Sequence, residues 1–198
     1  RITARAKNDL EAKNIIKPIK EKLKKDFSKF IFGEDNDTLP SVLIKELTKR
    51  NETIVFAESC TGGLLSSSLT SISGSSQVFL GSIVSYSNKL KNSLLNISEE
   101  KLTKYGAVSE EVCEAMAINV KEKLGADWAI AISGIAGPNG GSQDKPVGLV
   151  YISISGPNNH ITNIKKLFNS TRNRIEIQRL SVNVCLNSLR LILLSNSK

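Results

Sequence analysis

Ile54-Val55-Phe56-Ala57-Glu58-Ser59-Cys60-Thr61-Gly62-Gly63 is the stretch whose reading decides the fold. An apolar run over 54–57 leads into it, and a segment of leucines and small polar residues follows over 64–70. This pattern predicts a strand over 53–57, a tight turn, and a helix over 61–72. Ser59 is then placed at the carboxyl end of a strand, beside helix-start N–H groups that have no intrahelical acceptor. Those donors and the helix dipole favour an anion, such as a phosphate or a developing oxyanion. Glycines at 62 and 63 allow a ligand to approach the backbone closely. The plainer reading of the same residues is a strand-to-helix turn with a Ser or Thr cap.

Outward from this turn, strands and helices alternate. A strand is expected over 78–86, a short helix over 88–95, and a second short helix capped by Ser98 and ending at Tyr105-Gly106. Ser109 starts a longer helix to about Leu124, with Glu110 and Glu111 in the turn where acids are favoured. Residues 127–132 form a continuous apolar run, as in a strand buried on both faces. After a turn over 133–138 and a Gly-rich loop over 139–142, segments 147–155 and 160–168 read as an antiparallel pair. Thr171 is expected to cap a last helix whose apolar positions include Ile175, Leu180, Val184 and Leu189. The sum is a three-layer α/β/α sandwich with a mixed sheet.

Upstream, residues 1–6 alternate as a short strand would. Asn8 or Asp9 caps a helix to about Phe27 that Pro18 should kink or divide. Residues 30–33 read as a short strand, 34–37 as an acidic linker, and about 40–50 as a helix. This first unit has too few elements to bury a core alone, so residues 1–37 are expected to be the tail of a preceding domain. The net charge of +8 is uneven: residues 1–50 hold 13 Lys and Arg against 8 Asp and Glu. Solvated helical lysines explain that excess without a nucleic-acid partner, and aromatics for base stacking are few.

Three widely spaced cysteines with no CxxC pair argue against a disulfide framework or zinc cluster and suit a cytoplasmic setting. His160 is the single histidine, which excludes a multi-histidine metal site. No uninterrupted apolar run reaches the roughly 18 residues expected of a membrane span.

Three turns follow three separate strands, at Ser59, at Tyr86-Ser87-Asn88 and at Ser133-Gly134. In open α/β sheets such turns converge on a ligand site outside the carboxyl ends of the strands. There is no GxxxxGK[ST], GxGxxG or GxSxG, and a Ser-His-Asp triad is disfavoured by the lone histidine on a hairpin. If Ser59 is a nucleophile, lysine is the available base, because a desolvated amine can accept a hydroxyl proton. Lys91, five residues after Tyr86 on the short helix, is the candidate; an exposed helical lysine is the plain alternative. Ser98 and Lys101 also fit SxxK, but a capped surface helix accounts for them. Cys60 is a rival nucleophile or a buried turn residue. Glu58 could orient Lys91, hold a substrate amide, or serve as a helix-start anion.

ESCTGG (58–63), YSNxxK (86–91), YGAVSEE (105–111) and SGIAGPNGGSQDKPVG (133–148) together resemble the CinA C-terminal family. That family includes nicotinamide mononucleotide deamidases, and the resemblance runs from about 53 to 190. The region around FIFGEDNDTL (30–39) is similar to the KH-like segment that precedes this domain in full-length members. The resemblance implies a partial KH-like α+β segment over 1–37 and a deamidase domain over 38–198. It further implies metal-independent, cofactor-free hydrolysis of nicotinamide mononucleotide to nicotinic acid mononucleotide and ammonia. A homo-oligomer is expected, with neither nucleic acid nor membrane as a partner.

Carried over by position, Ser59 is the nucleophile and Lys91 its base. Glu58, Thr61, Gly62, Gly63, Tyr86, Asn88, Ser133, Gly134 and Arg172 would be substrate-binding, with the backbone of 61–63 supplying donors. Near the last helix the family pattern F-x-G-D-R-x-x-[IV]-R is altered. Ser170 stands for Gly and Glu176 for the second Arg. Either Arg174 substitutes for that arginine or phosphate affinity is weakened. The alternative to an amidase is therefore a catalytically weak nucleotide-binding domain.

Overall fold

The computed structural model describes residues 2–195. They divide into two compact units between Thr38 and Leu39. The first contains α1 (Asp9–Phe27), capped by the Asn8 side chain, which accepts from Glu11 N–H at 2.9 Å. The helix runs continuously through Pro18, so the expected division does not occur. Glu34 makes ion pairs with Lys20 and Lys24, one helical turn apart, and so ties the chain after α1 back to it. The strand expected over 30–33 is absent. Phe30 and Ile31 N–H groups both donate to Phe27 O, closing the end of the helix, and no neighbouring strand in this unit could complete a ladder. Residues 2–6 likewise have no regular structure, and Arg1 lies outside the described residues.

The second unit contains α2 (Leu39–Arg50), β1 (Ile54–Glu58), α3 (Leu64–Thr70), β2 (Phe79–Val84), α4 (Asn88–Leu95) and α5 (Glu99–Tyr105). It continues through α6 (Glu110–Leu124), β3 (Trp128–Gly134), β4 (Leu149–Ser155), β5 (Ile161–Leu167) and α7 (Arg174–Ser195). The sheet order is β2-β1-β3-β4-β5. β1 is parallel to both β2 and β3, whereas β3–β4 and β4–β5 are antiparallel.

Side-chain alternation divides the core in two. Ile54, Phe56, Trp128, Ile130, Ile132, Val150, Ile152 and Ile154 face one layer, with α2, α3 and α7. Val55, Ala57, Ala129 and Ala131 face the other, where α6 and the ends of α4 and α5 pack. The small residues on this second face let α6 approach the central strands closely. The expected mixed three-layer architecture is therefore the observed one.

Two helix boundaries differ from expectation. α3 begins at Leu64 rather than at residue 61, because Gly62 and Gly63 take positive φ (61° and 103°) and hold the chain out of the helix. Asn173, not Thr171, closes the start of α7: its side chain accepts from Glu176 N–H while Glu176 Oε2 accepts from Asn173 N–H. Thr171 instead bonds to Asn169. Ile175 is 58% exposed, and the buried stripe runs through Ile177, Val182, Cys185, Leu186, Leu189 and Leu193. Mean hydropathy of 1.2 makes α7 long and apolar enough, by length and composition, to cross a membrane. Here that stripe is packed in the core, with α2 as a neighbouring helix.

Gly148 tests how tightly the β3–β4 connection is specified. Its φ is 95°, and a Cβ there would lie 2.2 Å from Phe168 O. Gly148→Ala should lower the unfolding free energy by about 3 kcal/mol in denaturant melts. Gly140→Ala, also at positive φ but with its nearest atom 3.9 Å away, should cost only about 1 kcal/mol. Equal losses would contradict the steric account.

Candidate active site

The alternation that sorts the core also sorts the turn after β1. Glu58 has the parity of Ile54 and Phe56, which face the α3 layer. Its fully buried carboxylate accepts from Gly63 N–H (3.0 Å), Leu65 N–H (3.0 Å), Ser66 N–H (2.8 Å) and the Ser66 hydroxyl (2.5 Å). The anion sits on the positive end of α3 and satisfies donors that the helix itself cannot. Glu58 is thus committed to the turn, which corrects its expected place among substrate-binding groups.

The same bookkeeping corrects the glycines. Gly63 N–H is held by Glu58, and Gly62 N–H donates to Ser59 O at 3.1 Å, so neither is open to a ligand. Ser59 N–H donates to Ile132 O, and Leu64 N–H to Thr61 O. Among the described residues, the backbone N–H groups of Cys60 and Thr61 meet no acceptor. Thr61 Oγ1 is buried and also has no partner.

Ser59 has the opposite parity and meets Lys91 from α4. Lys91 Nζ lies 2.9 Å from Ser59 Oγ and donates to Ser85 O at 2.7 Å. Lys91 is only 1% exposed, and Leu95, one helical turn on, is buried in the same layer. The lysine therefore stands where the helix period calls for an apolar residue. Burial lowers its pKa, because water no longer stabilises the ammonium and no carboxylate replaces it. A neutral amine here can accept the Ser59 proton while donating to Ser85 O. Burial has the reverse consequence for Cys60, whose thiol is pushed up to about 12. It is therefore uncharged near neutral pH and a poor rival nucleophile.

The other expected site residues fall into distinct places. Tyr86 is 58% exposed, and its hydroxyl accepts from Arg174 Nη2 at 2.7 Å. Arg174 Nη1 also donates to Gly137 O at 2.9 Å, so the start of α7 is tied to the turns after β2 and β3. Gln178, one turn later, donates to Cys60 O at 2.8 Å. Ser133 is buried and donates to Ala107 O at 2.7 Å, which fixes the third turn and spends its hydrogen. Gly134 is required by packing, since a Cβ would lie 2.7 Å from Leu149 O. Asn88 is exposed and lines a separate cavity with Asn92, Glu99 and Thr103. Arg172 lies in a groove at the start of α7, away from any bond to Ser59 or Lys91. Ser98 accepts from Lys101 N–H as an ordinary cap.

Gln178 was absent from the expected set, and Arg174 entered it only as a substitute for the family's second arginine. Their spacing of four on one helix was a usable signal, but only the fold shows that this face meets the turn at Cys60. Among the described residues no group of three or more His, Cys, Asp or Glu side chains is arranged to hold a metal ion.

A family model described as the CinA C-terminal domain matches residues 36–193. The chain belongs to the CinA C-terminal domain family. A CinA-like protein of Prochlorococcus marinus (strain AS9601) is 91% identical over 198 residues, covering 100% of this chain and 47% of that protein. A CinA-like protein of Gloeothece citriformis (strain PCC 7424) is 46% identical, over 96% of this chain and 46% of that protein. The chain thus spans about half the length of the curated relatives it matches. Among solved structures, the competence/damage-inducible protein CihA from Agrobacterium tumefaciens is 36% identical with a TM-score of 0.76, covering 82% of this chain and 98% of that one. Against the CinA pattern, the departure at Glu176 has a local role: its carboxylate completes the hydrogen-bonded start of α7.

Burial of Lys91 sets a pH dependence. The folded state releases the Lys91 proton at a lower pH than the unfolded chain does, so stability falls as pH drops from the unfolded lysine value to the folded one. Lys91→Met removes that titration. Within this window the stability difference, variant minus parent, should widen by about 1.4 kcal/mol per unit fall in pH. Parallel curves in denaturant melts would show that Lys91 is not desolvated in the folded protein.

Proposed function

We propose that this chain is an amidase that converts nicotinamide mononucleotide to nicotinic acid mononucleotide and ammonia. The observation that carries the reading is the buried contact of 2.9 Å between Lys91 Nζ and Ser59 Oγ. Membership of the CinA family supports the substrate class.

In this mechanism neutral Lys91 takes the Ser59 proton as Oγ attacks the carboxamide carbon. The carbonyl oxygen becomes an oxyanion facing the free N–H groups of Cys60 and Thr61, two donors already oriented before the reaction. Lys91 then returns the proton to the departing nitrogen, which leaves as ammonia, and a nicotinoyl ester remains on Ser59. Water adds to that ester with Lys91 again accepting a proton. Collapse of the intermediate restores the Ser59 hydroxyl and releases the acid. The lowered pKa of Lys91 serves every step, since an ammonium could not act as the base. The Glu58 clamp keeps the other helix-start amides occupied and the turn in one conformation. We further propose that the unit before Leu39 is a KH-like segment of a longer protein. The alternative, a catalytically weak nucleotide-binding domain, is favoured by Glu176 standing where the family pattern has an arginine, and tight binding without ammonia release would support it.

Ammonia release from nicotinamide mononucleotide, with chelator present, tests the reading. The parent should turn over, and Ser59→Ala and Lys91→Ala should each lose at least about a thousandfold in kcat. The parent's rate should rise with pH and level off once Lys91 is neutral. Full activity in Ser59→Ala would overturn the assignment.

A further inference from the structure

We infer that Ser85 is a positioning residue for the base: its buried hydroxyl turns to accept the third hydrogen of Lys91 when the amine takes up the Ser59 proton. The inference rests on the amidase reading for the origin of that proton and adds how the resulting ammonium is held.

Ser85 follows β2, and its N–H donates to Glu58 O at 2.9 Å, which continues the parallel pairing of β2 with β1. Ile83 and Ala57 are paired neighbours on the face toward α6. Two residues further along each strand, Ser85 and Ser59 have the same parity and so turn to that face together. Ser85 has no exposure to water, and among the described residues its Oγ has no hydrogen-bond partner. A buried hydroxyl in that state lowers stability, and alanine would fill nearly the same space without the loss. The neighbouring serines differ, since Ser59 Oγ meets Lys91 and Ser133 Oγ donates to Ala107 O.

The chemistry of Lys91 gives the hydroxyl a use. A neutral amine has two hydrogens and a lone pair, whereas an ammonium has three hydrogens. At rest the lone pair meets the Ser59 hydroxyl, and one hydrogen goes to Ser85 O at 2.7 Å. As Ser59 Oγ bonds to the carboxamide carbon, its proton passes to Nζ. Of the three hydrogens then present, one stays on Ser85 O and one faces the Ser59 oxygen and the nitrogen that will leave. The third needs an acceptor at a residue only 1% exposed. Ser85 carries that acceptor on the same residue whose carbonyl already holds the amine, so a rotation about its Cα–Cβ bond is the motion required. Return of the proton to the leaving nitrogen releases the hydroxyl again.

The other groups near Lys91 are otherwise engaged. The thiols acting on it are Cys60, in the turn after β1, and Cys113, on α6; burial pushes both up to about 12, so neither is an anion near neutral pH. Cys113 Sγ donates to Tyr151 O. The Glu58 carboxylate faces the opposite layer and holds the start of α3. Tyr86, next in the chain to Ser85, accepts from Arg174. A carboxylate beside Lys91 would keep it charged at rest, whereas a hydroxyl supports the ammonium and still lets the amine be neutral beforehand.

Titration of the Lys91 side-chain nitrogen by NMR reads this bond without turnover. In Ser85→Ala the midpoint should fall by about 0.5–1 pH unit, because the charged form loses an acceptor. Ser85→Thr, which keeps the hydroxyl, should hold the parent's midpoint, and Ser85→Cys, a weaker acceptor of similar size, should fall between them. Ammonia release adds a kinetic signature. At the high-pH plateau Ser85→Ala should lose about 3–30-fold in kcat with KM nearly unchanged, and the deficit should shrink toward low pH, where more of the variant's base is neutral. A purely structural loss would leave the deficit the same at every pH. An unchanged midpoint in Ser85→Ala, or an equal fall in Ser85→Thr, would overturn the inference. Turnover by the parent with an unchanged midpoint in Ser85→Ala sinks the Ser85 role alone, whereas a lowered midpoint in a protein that releases no ammonia sinks the amidase alone.

Discussion

Glu58 is a carboxylate with no exposure to water and no cationic partner in contact, and the site is built around how it is satisfied. Isolated burial of such a charge would be prohibitive, but three backbone N–H groups, one hydroxyl and the positive end of α3 replace its hydration. Because the anion draws the helix start onto itself, the turn between β1 and α3 has one arrangement. In that arrangement the amides of residues 62–66 are either paired within the turn or held by Glu58, and those of Cys60 and Thr61 alone point to no acceptor. A helix start that in other proteins could itself hold an anion is here already filled, and the open donors are moved beside Ser59.

The second constraint is the lysine on the opposite face of the sheet. β1 sends Glu58 to the α3 layer and Ser59 toward the α4–α6 layer, so the clamp and the base act on one turn from two sides. Sheet alternation makes this possible with adjacent residues. Burying Lys91, which is 1% exposed, disfavours its ammonium form, and in the proposed mechanism that suits the amine to act as a base. The same desolvation silences Cys60, its neighbour in sequence to the nucleophile. In the proposed mechanism, one physical effect thus favours serine over cysteine.

Much of the fold was legible because the strand–helix alternation is strong from residue 53 onward. Continuous apolar runs at β1 and β3 marked central strands, and Ser98 and Ser109 marked helix starts that the structure confirms. The strand expected at 30–33 failed because periodicity says nothing about whether a partner strand exists. Within the site, Ser59 and Lys91 could be proposed, but their meeting depends on α4 lying under the sheet, a tertiary fact. Glu58, Gly62 and Gly63 were readable as site residues only in a loose sense. Which amide each group consumes is decided by turn geometry that local sequence does not encode. Gln178 was harder still, since it reaches Cys60 from 118 positions away in the chain, and Arg174 meets Tyr86 from 88 positions away.

The central claim is that Lys91 is neutral near working pH because it is buried against Ser59. A pH titration of the Lys91 side-chain nitrogen by NMR in the folded protein measures this directly. The account predicts a midpoint clearly below the ordinary lysine range, moving little with added salt because desolvation rather than a neighbouring charge sets it. A midpoint at or above the ordinary lysine value would mean that Lys91 is a cation at Ser59, and the proposed base would be lost.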